Sequence, residues 1–246
     1  MPKPPSAPWW AWPAMWSLDG PLFVLLSRAA VCGLSSVRRA DTAFVLSLVW
    51  IGYATDRWLD ARHDDDASTW RHASAGRHGP WIFAVAIGAG LCSLLVGVRL
   101  SDLWPEGPVR WWPLICAAIL CARWLGLGWF LRALGIACLM SMFAGWGERP
   151  AFLDLVCVAL VAMSNLAAIR LAERPEDRTA FWSQAFLAAG GIVLAMLRPG
   201  ALTIASSAGM GLLCVMGAIP AGDAERRRAL VDAVTFCVFA AAIAFS

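Results

Sequence analysis

Two stretches of the chain place carboxylates at helical spacing beside arginines. The first is Tyr53-Ala54-Thr55-Asp56-Arg57-Trp58-Leu59-Asp60-Ala61-Arg62. Asp56 and Asp60 are four residues apart, so on a helix both carboxylates leave one face, a turn apart. Like charges at that spacing cost an isolated helix about 0.2–0.5 kcal/mol, and a divalent cation removes the repulsion. In the second stretch Asn165, Glu173 and Asp177 recur at multiples of four, and Arg170 stands nearly one turn before Glu173. Pro175 bends or ends that helix, which leaves Asp177 less fixed than Glu173. Taken alone, either stretch reads as the solvated start of a loop. Two on one membrane face reverse that reading. Mg²⁺ takes a few carboxylates plus phosphate oxygens and water, so acids from two helices can clamp a diphosphate, with arginines adding bidentate contacts.

The surroundings suit such a head group. Residues 61–79 hold Arg62-His63, Arg71-His72 and Arg77-His78, which include every histidine of the chain. This segment reads either as a partly ordered cap whose Arg and His reach phosphates or as a mixed-charge loop. The run Asp64-Asp65-Asp66, so far past the helix end, is expected to be solvated. Trp50, Tyr53, Trp58, Phe181 and Trp182 lie near the motifs. They offer π-faces to a carbocation, or anchor the chain at the interface.

Elements that could position these residues follow from composition. Of 246 residues 60% are apolar and 15% charged, against about 45–50% and about 25% in a soluble domain. Disordered, collagen-like and disulfide-scaffold classes are excluded, and a polytopic membrane protein remains. Nucleic acid is not an expected partner, since no basic block exceeds Arg226-Arg227-Arg228. The eight cysteines sit in apolar runs without Cys-x-x-Cys spacing, as small packing residues do.

A bilayer core takes about 20 apolar residues per helix. Such runs occur near 20–36, 41–59, 80–100, 109–126, 128–146, 151–172, 180–198, 200–219 and 227–245. The continuous stretch 113–145 is divided at Arg123, Gly126, Gly128 and Arg132, because one helix of that length would be about 50 Å long. The expectation is an all-α domain over 1–246, about nine transmembrane helices around a central cavity. Residues 1–16, with their prolines and tryptophans, form an interfacial segment and not a signal peptide. Residues 61–79 form a cytoplasmic loop. Ser17 or Asp19 is placed to cap the first span. Twelve arginines fall on the even loops and six on the odd ones, so the even loops and N-terminus are expected in the cytoplasm and the C-terminus outside. The two acidic stretches then share one face.

Charged residues within or near spans are functional candidates by default: Arg28, Arg123, Asp154, Arg170 and Asp232. Asp232, four after Arg228, can pair with it. Arg170 can serve the site of Glu173. Arg28 has no evident partner.

A nine-helix chain with acidic motifs ending its second and sixth spans resembles the UbiA-type intramembrane prenyltransferase superfamily, over essentially its whole length. The most specific stretch is Tyr53 to Arg62, followed by Thr69-Trp70-Arg71-His72. It looks like a bacterial branch with a Tyr-x-x-Asp-Arg-x-x-Asp signature, to which Asn165–Asp177 and Arg228–Ala233 are also similar. The resemblance implies that Asp56, Asp60, Glu173 and Asp177 hold Mg²⁺ and the diphosphate of a polyprenyl donor. Ionisation would then yield an allylic cation that a lipophilic or aromatic acceptor captures. Arg57, Arg62, Arg71, His72, Arg77, Asn165, Arg170 and Tyr53 would line the substrate site. Membrane lipid is a further partner, and the bacterial inner membrane the implied location. Gly52 stands where the family's first motif has Asn, and Glu173 where its second has Asp. Two other classes remain: an isoprenoid- or lipid-binding protein without turnover, and a small transporter using the intramembrane charges.

Overall fold

A chain that crosses lipid must satisfy its backbone internally, and among the described residues this one does so as helix throughout. The computed structural model describes residues 12–37, 40–63, 70–95, 114–116, 128–218 and 224–246, with the backbone alone at 40, 60–63, 70–73 and 218. The helices are α1 (Trp12–Met15), α2 (Asp19–Cys32), α3 (Leu34–Val37), α4 (Ala40–His63), α5 (Trp70–Leu95), α6 (Trp129–Ala144), α7 (Phe152–Glu173), α8 (Arg178–Leu197), α9 (Ala201–Ala218) and α10 (Ala224–Ala244). Three stretches are long and apolar enough to cross a membrane: Ser74–Leu95, Phe152–Glu173 and Arg178–Leu197. Trp129–Ala144 and Ala201–Gly217 are shorter apolar helices. The protein is therefore all-α with membrane-spanning character. The expected fourth span, 109–126, lies outside the described residues apart from 114–116.

α2 and α7 are the central posts. α2 packs against α4, α6 and α10, and α7 against α6, α8, α9 and α10. Phe23, Val24, Val45, Val49, Met140, Phe143, Val158, Val161 and Phe239 fill the space between them. Phe23 meets Phe239 edge-on at 5.1 Å between ring centroids. Helices in lipid gain little from hiding apolar surface, so this close van der Waals fit does the holding.

Three local expectations are corrected. The first span is interrupted after Cys32 by Gly33, whose φ of +84° is open to glycine and strained for other residues. Neither Ser17 nor Asp19 caps α2. Its N-cap is Leu18 without a side-chain cap bond, because Asp19 is turned to Arg57. Residues 70–79, read as the second part of a loop, are the start of α5. Ser74 Oγ donates to the Met15 carbonyl at 3.2 Å. A Cβ on Gly79 would stand 2.6 Å from the Trp58 ring, so only glycine lets α4 and α5 approach this closely. Both contacts hold the first turns of this helix against α1 and α4.

Arg28 finds its partners at the opposite end of the bundle. Fully buried, it donates to the carbonyls of Ser36 and Trp146 and pairs with Asp41 at 3.4 Å. It ties α2 to α4 and to the segment after α6. Asp154 pairs with Arg198 at 3.0 Å, joining the start of α7 to the end of α8.

Candidate functional site

Four helix ends meet through one run of ion pairs. Arg57, near the end of α4, is buried and binds Asp19 at the start of α2, the Ala14 carbonyl and Ser17. Asp19 also lies 3.9 Å from Arg228, near the start of α10. Arg228 in turn donates to Glu173, the last residue of α7, at 2.9 Å. The run Arg57–Asp19–Arg228–Glu173 therefore joins one end of each acidic stretch. Intramembrane charges face the bundle interior, and each guanidinium here has a carboxylate to offset its desolvation.

Two atoms in this run remain unmatched. Asp19 Oδ1 and Arg228 Nε are buried with no hydrogen-bond partner. Two cations thus share one carboxylate, with donor and acceptor capacity left over. The Arg228 Nε–H can donate to an anion's oxygen, but only if the Asp19 carboxylate moves aside.

Asn165 lies on α7 two turns before Glu173. Its Nδ2 donates to Asp232 Oδ1 at 3.3 Å, and its Oδ1 accepts from Thr235 at 2.9 Å, which locks α7 to α10. Tyr53 lies one turn before Arg57, with the Arg57 guanidinium 5.5 Å from its ring centre. A Cβ on Gly20 would come within 2.7 Å of that ring, so the glycine admits Tyr53 against α2.

The second acidic stretch is divided between two tasks. Asp177 follows Pro175 and is the N-cap of α8, accepting from the Ala180 amide at 3.1 Å. It also accepts from Arg170 Nε at 3.0 Å. Desolvation opposes its ionisation, but the Ala180 amide and Arg170 outweigh it, and the carboxyl sits below its ordinary range. Arg170 further lies 6.0 Å from the centre of the Trp129 ring. Arg170 thus serves Asp177 and not Glu173, and Arg228 serves Glu173 and Asp19.

Asp56 is exposed at the end of α4, next to Arg57. Arg77 is exposed on the first turns of α5. The side chains of Asp60, Arg62, Arg71 and His72 lie outside the described residues, as do Asp64-Asp65-Asp66 and Arg123. Among the described residues no three His, Cys, Asp or Glu side chains gather as a metal site. Glu173 is paired with Arg228 and Asp177 with Arg170.

Asp19, Arg228 and Thr235 are the members that motif reading left out of the site. Asp19 and Arg228 carried a signal nonetheless: each is a charge at the edge of an apolar run. Nothing in their local sequence names their partners, which lie 38 and 55 residues away.

Compared with known proteins, the chain matches no family model, no curated protein and no solved structure.

Proposed function

We propose that the protein is an intramembrane prenyltransferase of the UbiA type, built from nine spans around a central cavity, with the fourth over 109–126. It moves a polyprenyl group from its diphosphate to a lipophilic or aromatic acceptor. The observation that carries this reading is the run Arg57–Asp19–Arg228–Glu173, which brings the ends of both acidic stretches to one end of the bundle. A diphosphate entering there finds two guanidiniums held close together, and its extra oxygens match the donor capacity of Arg228. Asp19 then yields its place between them. Mg²⁺ falls to Asp56 and Asp60 in this proposal, where it would neutralise charge on the departing diphosphate. Tyr53 offers a π-face beside Arg57. In this proposal the membrane is a bacterial cell membrane, and the excess of arginines on the even loops supports a cytoplasmic N-terminus and head-group end with the C-terminus outside.

A second reading, isoprenoid diphosphate binding without turnover, is favoured by the commitment of Glu173 and Asp177 to arginines and by Gly52 in the first motif. One assay separates the two. Purified protein in detergent is given geranylgeranyl diphosphate with and without Mg²⁺, and released diphosphate is measured. Release that needs Mg²⁺ and is lost in Asp56→Ala supports transfer. Binding of the non-ionising thiolo analogue without any release supports the second reading. Failure to bind either compound removes both.

A further inference from the structure

A groove of about 640 Å³ lies among α6, α7 and α8, and none of Arg57, Asp19, Arg228 and Glu173 lines it. Phe130 and Leu134 line it from α6, Met163 from α7, and Trp182 and Phe186 from α8, with Arg178 at the α8 N-terminus. On α7 the groove is bounded by Ala159, Leu160 and Met163, while Asn165 hydrogen-bonds Asp232 and Glu173 pairs with Arg228. At about 100° per residue these two sets point about 130° apart around the helix.

Several features identify what the groove faces. Its outer rim is lipid-facing in character, since Trp182 is 59% and Phe186 75% exposed on a span-length apolar helix. Water would not stabilise that surface, and hydrocarbon would. The length from Arg178 to Phe186 is about 12 Å of helix, enough for the upper half of one acyl chain. At the groove's charged end, Arg178 is exposed and has no carboxylate within ion-pair distance among the described residues. The neighbouring acid, Asp177, is held by Arg170. Arg178 therefore stands as an exposed cation with no carboxylate partner among the described residues, while the helix N-terminus beside it is already capped by Asp177. Trp182 lies one turn deeper, the level at which indoles sit below head groups.

We infer that this groove binds one anionic phospholipid, with an acyl chain along Phe130, Leu134, Met163 and Phe186 and its phosphate on Arg178. The site is separate from the proposed polyprenyl diphosphate site and does not depend on that reading.

The test is native mass spectrometry of the purified protein. It is titrated in detergent with dioleoyl phosphatidylglycerol or dioleoyl phosphatidylcholine, which share chains and differ in head-group charge. The expected result is a several-fold preference for phosphatidylglycerol. That preference falls to near unity in Arg178→Gln and survives in Arg174→Gln, which removes the same charge four residues away without touching the groove. Ala159→Phe, which fills the groove, should lower binding of both lipids; unchanged thermal unfolding confirms that it still folds. Equal binding of both lipids by the wild type overturns the inference. So does an equal loss in both arginine variants, because the attraction is then diffuse. Displacement of phosphatidylglycerol by geranylgeranyl diphosphate overturns it too, since the groove would then hold the prenyl tail.

Discussion

At the residue scale the decisive contacts are those in which one carboxylate answers two cations. Asp19 is buried between Arg57 and Arg228, and its removal leaves two guanidiniums in low dielectric with too little counter-charge. Asp19→Asn should lose about 3–5 kcal/mol of stability, the usual cost of breaking a buried pair, read as a lower unfolding temperature in detergent. Inorganic diphosphate should raise that temperature more in Asp19→Asn than in the wild type, because the added anion restores what the carboxylate supplied. Asp177 supports a pH prediction. Its folded pKa is depressed, so its contribution is complete above the unfolded value of about 3.9 and is lost as pH falls through the folded value. Asp177→Asn keeps an N-cap but not the charge paired with Arg170. The wild type should therefore be more stable than Asp177→Asn at pH 7, and the gap should close below about pH 4. A gap that persists under acid would mean that the cap, not the ion pair, dominates.

At the scale of elements, helix position was largely legible in the sequence and helix neighbourhood was not. α7 was expected over 151–172 and occupies Phe152–Glu173, because Pro150 and Pro175 bracket an unbroken apolar run. α8, α9 and α10 were found in the same way. The start of α5 was missed because no apolar run marks it. The Gly79–Trp58 approach and the Ser74–Met15 hydrogen bond are long-range facts that periodicity does not carry. Gly79→Ala should accordingly weaken the α4–α5 contact, lowering the unfolding temperature while leaving far-ultraviolet helicity unchanged. Arg28 shows the same limit: its position inside a span was evident, its partners Asp41, Ser36 and Trp146 were not. Arg28→Met alone takes the buried guanidinium away from the buried Asp41, and should cost about 3–5 kcal/mol. The double substitution Arg28→Met/Asp41→Leu should recover most of that loss. No recovery would show that the carbonyl contacts to Ser36 and Trp146 are what matter.

At the scale of the whole molecule, the two ends of the bundle differ in kind. Among the described residues one end carries the inter-helix pairs Arg28–Asp41 and Arg198–Asp154. The other collects Arg57, Asp19, Arg228, Glu173, Arg170 and Asp177 from five helices, with unmatched polar atoms among them. Motif reading had placed Asp56, Asp60, Glu173 and Asp177 on one face. The ion pairs bring Arg57, beside Asp56, together with Glu173, but through arginines and not as a bare carboxylate cluster. That difference could not be read from spacing, since the azimuth of a neighbouring helix decides which acid meets which base. If this end is the head-group site, its cations must carry the affinity. The most direct measurement is equilibrium binding of the thiolo analogue of geranylgeranyl diphosphate to the wild type and to Arg228→Gln, whose folding is checked by thermal unfolding. The expected result is at least about tenfold weaker binding by the folded variant, equivalent to about 1.4 kcal/mol. Equal affinity in the two proteins would contradict the proposed site.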